Sequence, residues 1–222
     1  WSISGIFSMS RVPQWLVPTK AEFTFNTSRL WGKGVLPLET YQLDYRKLQD
    51  VYPDLKKVDW VRFADIPAYR IIEGENERYI DASGTEVVAL NVPQKTIEEG
   101  FRKIHGNDSK MTVTVLEKYD NYYLNLRRTL ELPVYKVEFD DDDHNLYYVN
   151  PRDGYIRYLN KNKIVDKWLF SAIHYLNMGW LVNRPWLWTF CLWFLCIGCG
   201  IVCFTGVVLG VKTWLIRKKK KS

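Results

Sequence analysis

Residues 132–137 read LPVYKV and residues 146–156 read LYYVNPRDGYI, and together they form the clearest strand pattern in the chain. Both runs are rich in apolar and aromatic residues. Four aspartates lie between the runs, and an Asn-Pro-Arg-Asp-Gly turn interrupts the second. Short apolar runs between such turns are typical of antiparallel strands joined in hairpins. The stretch therefore predicts three consecutive antiparallel strands.

An earlier stretch of the chain repeats this pattern. Residues 66–71 read IPAYRI and residues 79–87 read YIDASGTEV. Tyr69 and Tyr135 consequently have the same place in two similar blocks. We expect the blocks to form similar structures in which both tyrosine rings are at least half buried, because their neighbours alternate between apolar and polar.

A helix-like stretch precedes each block. The first covers residues 37–57, and its larger apolar side chains fall near one helical face, namely Leu38, Tyr41, Tyr45, Leu48 and Tyr52. The second covers residues 96–104 and has an acidic first turn. A helix followed by antiparallel strands, twice, predicts an α+β domain with one unit at 19–92 and another at 93–160.

The C-terminal part of the chain has the composition of a membrane span. Residues 185–211 contain no charged side chain. A helix of that length extends roughly 40 Å, which exceeds a hydrocarbon core of about 30 Å. We predict a transmembrane helix over 185–216, followed by a basic tail at 217–222. The alternative, a core helix of a soluble protein, fits this composition less well.

The distribution of charge predicts the orientation of this helix. The chain has 31 basic and 25 acidic residues, and the excess of six comes from Lys212, Arg217 and the four lysines at 218–221. Basic residues next to a span favour the cytoplasmic side. The domain before it is then extracytoplasmic. Since the rest of the chain is formally neutral, the net charge does not indicate a nucleic-acid-binding surface.

Two shorter segments are expected at the membrane. Residues 161–184 predict an interfacial helix and a linker, with the helix at 164–178 too short and too polar to span. Residues 1–10 are apolar or small, and ten residues are too few to cross a bilayer. We interpret residues 1–12 as the outer end of a truncated transmembrane helix, and the alternative is a short interfacial or core segment.

The second block and the residues after it resemble the PepSY-associated transmembrane family. The likeness is carried by the two runs at 132–137 and 146–156, by WLFSAIHYLNM at 168–178 and by NRPW at 183–186, directly before the span. The sequence departs from the family pattern at Asn150 and Asn177, where the family more often has aspartate. The resemblance implies two PepSY-like units in the periplasm, a bacterial inner-membrane location, and a link to haem-containing reductases or iron uptake.

His174 is the main candidate site residue. It lies on a mostly apolar stretch just before the span, where an imidazole can ligate haem iron or relay protons. The alternative is an interfacial histidine bonded to a headgroup or to backbone. Because some relatives in the resembled family contain haem, the resemblance favours ligation. A second axial ligand would come from Met178, from a preceding helix or from another subunit.

Other candidate residues favour structural roles. His105 ends the second helix and is expected to be exposed. His144 follows Asp140–Asp143, whose adjacent carboxylates indicate a solvated hairpin turn rather than a calcium loop. The four cysteines all lie at 191–203, which excludes a disulfide-stapled domain and suggests apolar filling. Gly206 and Gly210 form a Gly-x-x-x-Gly face for packing against another transmembrane helix or subunit.

The sequence contains no self-contained catalytic motif, such as a P-loop or a nucleophile elbow. Any enzymatic role would be that of a redox subunit. The expected function is therefore that of a membrane-anchored accessory subunit linked to haem electron transfer or iron uptake. The alternative is a non-enzymatic binding or regulatory module that binds a peptide or protein partner through an edge strand.

Overall fold

The computed structural model describes residues 12–20, 22, 24–124, 130–173 and 175–219. It shows two four-stranded antiparallel sheets followed by one long apolar helix. The α+β prediction is therefore confirmed, whereas the PepSY-like nature of the units stays a prediction. The predicted outer end of a transmembrane helix falls outside the described residues, except for Val12.

The two sheets have the same topology. Each is a meander, in the orders β1-β2-β3-β4 and β5-β6-β7-β8. Each block thus contains one strand more than predicted, because β1 and β5 precede the Pro-x-Tyr strands. The elements in chain order are α1 (Ser28–Trp31), a 3₁₀ turn (Leu38–Thr40), α2 (Lys47–Val51), β1 (Leu55–Phe63), β2 (Ile66–Glu73), β3 (Asn76–Asp81), β4 (Val88–Ala89), α3 (Gln94–His105), β5 (Met111–Leu116), β6 (Val134–Phe139), β7 (Leu146–Val149), β8 (Ile156–Leu159), α4 (Lys161–Asp166), a π-helix (Lys167–Ala172), α5 (Gly179–Val182) and α6 (Pro185–Lys219).

The predicted helix over residues 37–57 is wrong. Only the 3₁₀ turn and the five-residue helix α2 form there, and Leu55 already begins β1. The Asp44 side chain accepts a hydrogen bond from the Arg46 backbone N–H at 3.0 Å, and this arrangement favours a turn. Pro53 disfavours a helical backbone conformation at the preceding residue, Tyr52. Tyr41, Leu48 and Tyr52 still pack with the first sheet. Leu38 and Tyr45 are 71% and 44% exposed. The apolar pattern therefore marked burial at three of its five positions, and not a helix. The second predicted helix is confirmed as α3.

The predicted equivalence of the two tyrosines is confirmed. Tyr69 on β2 pairs with Ile80, and Tyr135 on β6 pairs with Val149. Ile80 directly precedes Asp81, and Val149 directly precedes Asn150. The side chains of Asp81 and Asn150 each accept the backbone N–H of the residue two positions later, which forms an Asx turn. Tyr69 is buried and Tyr135 is partly buried. The two blocks therefore share register as well as sequence.

The two sheets share one hydrophobic core. Phe63 and Ala68 of the first sheet belong to the same buried cluster as Val137 and Tyr147 of the second. Helix α3 adds Ile97 and Phe101, while α1 adds Leu30 and Trp31, to this cluster. Neither sheet therefore buries its inner face without the other.

Gly154 lies at a close contact between the two blocks. The indole N–H of Trp31 donates to the Gly154 carbonyl oxygen at 2.8 Å. Gly154 has φ +68°, and a Cβ placed there would lie 2.1 Å from Cε1 of Phe63. Only a glycine allows both the positive φ angle and the short distance to Phe63 without displacement of neighbouring atoms.

Residues 161–184 form several short elements instead of the single helix predicted at 164–178. Helix α4 continues directly into the π-helix, and α5 follows after an irregular stretch. Asn160 caps α4 by accepting a hydrogen bond from the Lys163 backbone N–H at 2.9 Å. Asn162 donates to the carbonyls of Val12 and Val17 at 3.1 and 3.0 Å, which fixes the N-terminal turn on α4.

Helix α6 is the membrane-span candidate. Its stretch Pro185–Trp214 has 30 residues with a mean hydropathy of 2.5 in its most apolar window, and none of that window is buried by the rest of the chain. In the described part of the chain it is the one helix long and apolar enough to cross a membrane. This agrees with the predicted span at 185–216.

Candidate functional sites

Strand β5 forms an uncharged outer edge of the second sheet. It reads Met-Thr-Val-Thr-Val-Leu, stands at the end of the strand order, and pairs with β6 alone among the described strands. Thr112 and Thr114 are exposed, and Val115 keeps 53% of its surface accessible. The strand thus combines high β-propensity with an accessible surface.

The hydrogen-bond register shows which backbone groups of β5 face outward. The backbone N–H of Asp140 donates to the Lys110 carbonyl at 3.1 Å. Because bonded and non-bonded pairs alternate in an antiparallel ladder, Thr112, Thr114 and Leu116 bond to β6. The N–H and C=O groups of Met111, Val113 and Val115 point away from the sheet, and no described residue forms a backbone hydrogen bond with them on that side.

The other sheet edges are less open to pairing. Strand β1 carries Lys56, Lys57, Asp59 and Arg62 and has a register shift near Leu55. Charged side chains and irregular register are the usual protection of an edge strand. Strand β4 has two residues and β8 has four. Among the described strands, β5 is therefore the longest edge without charge.

Strand β5 was not anticipated from the sequence. The alternation in MTVTVL and its β-branched residues would have predicted a strand. The signal was missed because the internal repeat was defined by its three later strands. The analogous strand β1 was missed for a different reason, since its beginning was included in the predicted helix over residues 37–57.

Of the two candidate haem ligands, the structure describes Met178. His174 lies outside the described residues. Met178 is partly buried and directly precedes α5, where its carbonyl accepts the backbone N–H of Leu181 at 3.0 Å. No group of three or more histidine, cysteine, aspartate or glutamate side chains with metal-binding spacing occurs in the described ranges. Of the predicted axial ligands, the structure therefore describes Met178 alone.

Gly206 and Gly210 lie on the apolar stretch of α6. A Cβ at either position would meet no atom within 4 Å. The surface over these glycines is therefore open for a second helix. Cys196, Cys199 and Cys203 are exposed on the same helix and Cys191 is partly exposed, and all four are free thiols.

His105 is not the exposed residue that the sequence suggested. Its ring stacks on Phe139 with 4.1 Å between centroids, and its Nε2 lies 3.0 Å from the hydroxyl oxygen of Tyr147. Burial lowers the pKa of His105, against an opposing effect of Asp141. The imidazole is therefore held neutral at physiological pH as part of the core surface.

A polar cleft of about 330 Å³ lies beside this histidine. Tyr158 in its wall donates to the Asn145 side chain at 2.7 Å, and burial raises the pKa of Tyr158 to about 12. Asp143 accepts the Lys20 backbone N–H at 2.9 Å and pairs with Lys161 at 3.3 Å. These polar groups are bonded to other groups of the protein. Glu22 and Arg29 also line the cleft.

The four-aspartate run is a hairpin turn, as predicted. It joins β6 to β7, and Asn145 donates through its backbone and side chain to the Asp141 carboxylate at 3.0 and 2.6 Å. The expectation that the whole run is solvated is wrong for Asp143, which is 6% exposed. The carboxylates of this turn are occupied by protein donors.

Lys167 is a buried cation between β8 and α6. It is 6% exposed, its Nζ has no hydrogen-bond partner among the described residues, and it lies 5.0 and 4.8 Å from the ring centroids of Tyr122 and Trp168. Burial lowers the pKa of this ammonium group. Two aromatic faces compensate part of its desolvation through cation–π attraction.

No protein-family model, curated protein or solved structure matches this chain.

Proposed function

We propose that the chain is a membrane-anchored binding module with PepSY-like units, and that it holds an extended segment of a peptide or protein partner along β5, outside the membrane. The observation that carries this proposal is the outer edge of β5. There, Met111, Val113 and Val115 offer outward N–H and C=O groups that no described backbone group occupies. An extended segment can complete such an edge as an additional strand.

The energetics favour a weak and reversible interaction. Three outward residues allow at most about six backbone hydrogen bonds, each contributing a net of about 0.5–1.5 kcal/mol. Association and ordering of the peptide oppose much of this gain. Additional affinity and selectivity must come from side chains of the partner that contact Thr112, Thr114 and Val115.

The anchor is helix α6. In this proposal it crosses the bacterial inner membrane, with the lysines at its end in the cytoplasm and the sheets in the periplasm. The edge of β5 is then presented to partners outside the cytoplasm. Binding of nucleic acid is not expected.

The test uses a library of displayed heptapeptides and the full chain in lipid nanodiscs. Peptides selected on the wild type should lose binding to the Val115→Pro variant, because proline removes one outward N–H without breaking a bond to β6. The Val115→Thr variant keeps that N–H and is the matched control. Equal binding by all three proteins, or a library that yields no binder, would contradict the proposal.

A second candidate function is haem-linked electron transfer, as an accessory activity in iron uptake. The favouring observation is the hydrogen bond from the Trp188 indole to the Tyr175 carbonyl at 3.4 Å, which places a neighbour of His174 beside the first turns of α6. Met178 on the same segment is the described candidate for a second ligand. A bound haem would supply one-electron transfer.

The haem proposal is tested by absorbance. The full-length protein, purified in detergent, should show a Soret band, and the His174→Ala variant should lose it with unchanged circular dichroism. A wild type without the band, or a variant that retains it, would assign His174 to the interface instead.

A further inference from the structure

The segment between the second sheet and α6 packs on one side against the rest of the folded domain. Ala172 and Leu181 are each 1% exposed. The backbone N–H of Gly179 donates to Oδ1 of Asn121 at 3.2 Å. A Cβ at Gly179 would lie 2.7 Å from that oxygen, so the approach is close. This side of the segment is therefore packed against the loop that follows β5.

The other side of the segment is exposed and largely aromatic. Ile173, Tyr175 and Trp180 keep 52%, 53% and 58% of their surfaces accessible, and Trp186 in the first turn of α6 keeps 71%. We call these four residues the aromatic collar. Tyrosine and tryptophan combine an apolar ring with a polar tip, which suits the boundary between lipid and water.

The position of the collar relative to α6 follows from one hydrogen bond, a two-residue linker and the length of α6. The Trp188 indole bonds to the Tyr175 carbonyl, and only Asn183 and Arg184 separate α5 from α6. The 30-residue stretch Pro185–Trp214 of α6 extends about 45 Å, close to the thickness of a bilayer with its headgroups, about 40–45 Å. Pro185 then lies at the level of the outer headgroups, and so does the collar.

We propose that the aromatic collar rests in the outer headgroup layer of the bilayer and fixes the folded part against the membrane surface. This inference depends on the proposed membrane anchoring by α6. Lipid is the occupant because the collar continues directly into the span and carries no charged side chain. With the opposite side held by Gly179 and Asn121, the sheets keep a constant orientation and do not move on a flexible tether.

The experiment places an environment-sensitive NBD label at single cysteines in full-length protein. The four native cysteines are replaced by alanine, and Trp180→Cys is compared with Glu75→Cys, which lies in the exposed β2–β3 turn of the first sheet. Both are reconstituted in phosphatidylcholine vesicles with a nitroxide on the lipid headgroup. A third protein retains only Cys199 and is measured with a nitroxide on the acyl chain.

We expect strong loss of emission at residue 180, little loss at residue 75, and quenching of Cys199 by the acyl-chain nitroxide. A quenched Cys199 with an unquenched residue 180 would overturn the collar while leaving the anchor intact. An unquenched Cys199 would contradict the anchor itself. Equal quenching at residues 75 and 180 would contradict a fixed orientation.

Discussion

Gly154 and Gly84 end the corresponding Asx turns of the two blocks, yet only Gly154 is confined by its surroundings. A Cβ at Gly84 would meet no atom within 4 Å, whereas one at Gly154 would overlap the ring of Phe63. The same residue type therefore has different roles in the two copies. In the second copy it allows the blocks to make contact.

We expect Gly154→Ala to lower the free energy of unfolding by about 2–4 kcal/mol, because it combines a left-handed backbone with overpacking. Gly84→Ala is the matched control and should change stability by less than about 0.5 kcal/mol. Urea denaturation of the full chain in detergent, followed by circular dichroism, measures both. A Gly154→Ala variant as stable as Gly84→Ala would refute the close contact with Phe63.

His105 should make stability depend on pH. Burial lowers the pKa of the folded imidazole, with a smaller contribution from Arg29 in the same direction and an opposing one from Asp141. The unfolded chain, with a histidine pKa near 6.5, therefore binds a proton more readily. The free energy of unfolding should consequently fall as the pH drops below about 6.5, until the folded pKa is passed.

The His105→Gln variant should lose this component of acid sensitivity, because glutamine does not titrate. The measurement is the urea midpoint at about pH 7.5 and about pH 5.5 for wild type and variant. Identical pH dependence in the two proteins would show that the imidazole does not contribute.

At the scale of elements, the face of α6 at Gly206 and Gly210 is expected to pack against another helix. In lipid, such packing depends on close backbone approach, since no hydrophobic driving force separates helix from lipid. Gly206→Leu should therefore reduce helix association in a cross-linking or energy-transfer assay in vesicles. Gly200→Leu, roughly 120° around the helix, is the matched control and should have little effect. Equal association of both variants would count against this face.

Some of the strands and helices could be predicted from the sequence, and others could not. Alternation and turn residues predicted the strands that contain Tyr69 and Tyr135, because hairpins depend on local signals. The helix at 37–57 failed because apolar side chains at helical spacing also suit irregular backbone packed on a sheet. The edge of β5 could be recognised only from the strand order, since whether a strand is central or outermost depends on the tertiary fold.

The haem site could not be derived in the same way. An axial pair requires two side chains brought together by tertiary structure, and sequence identified only His174 and Met178 as near neighbours in one segment. In contrast, the long apolar helix α6 was predictable almost completely, because the length and composition needed to cross a bilayer belong to a single continuous stretch.

At the scale of the whole molecule, the prediction concerns topology. We expect the end of α6 to face the cytoplasm, because the basic residues cluster there. A fusion of alkaline phosphatase after Ser222 should be inactive in bacterial cells, whereas a fusion of green fluorescent protein at the same place should fluoresce. An active phosphatase would reverse the orientation and place the sheets in the cytoplasm.

The short connection between α5 and α6 has a mechanical consequence. Two residues and the Trp188–Tyr175 hydrogen bond leave little freedom between the span and the sheets. A transmembrane helix longer than the local hydrocarbon layer tilts, and the tilt changes with bilayer thickness. If α6 spans a membrane as proposed, such a tilt would either break this bond or rotate the two sheets together with the helix. As long as the bond holds, the direction in which β5 faces would then change with the thickness of the membrane.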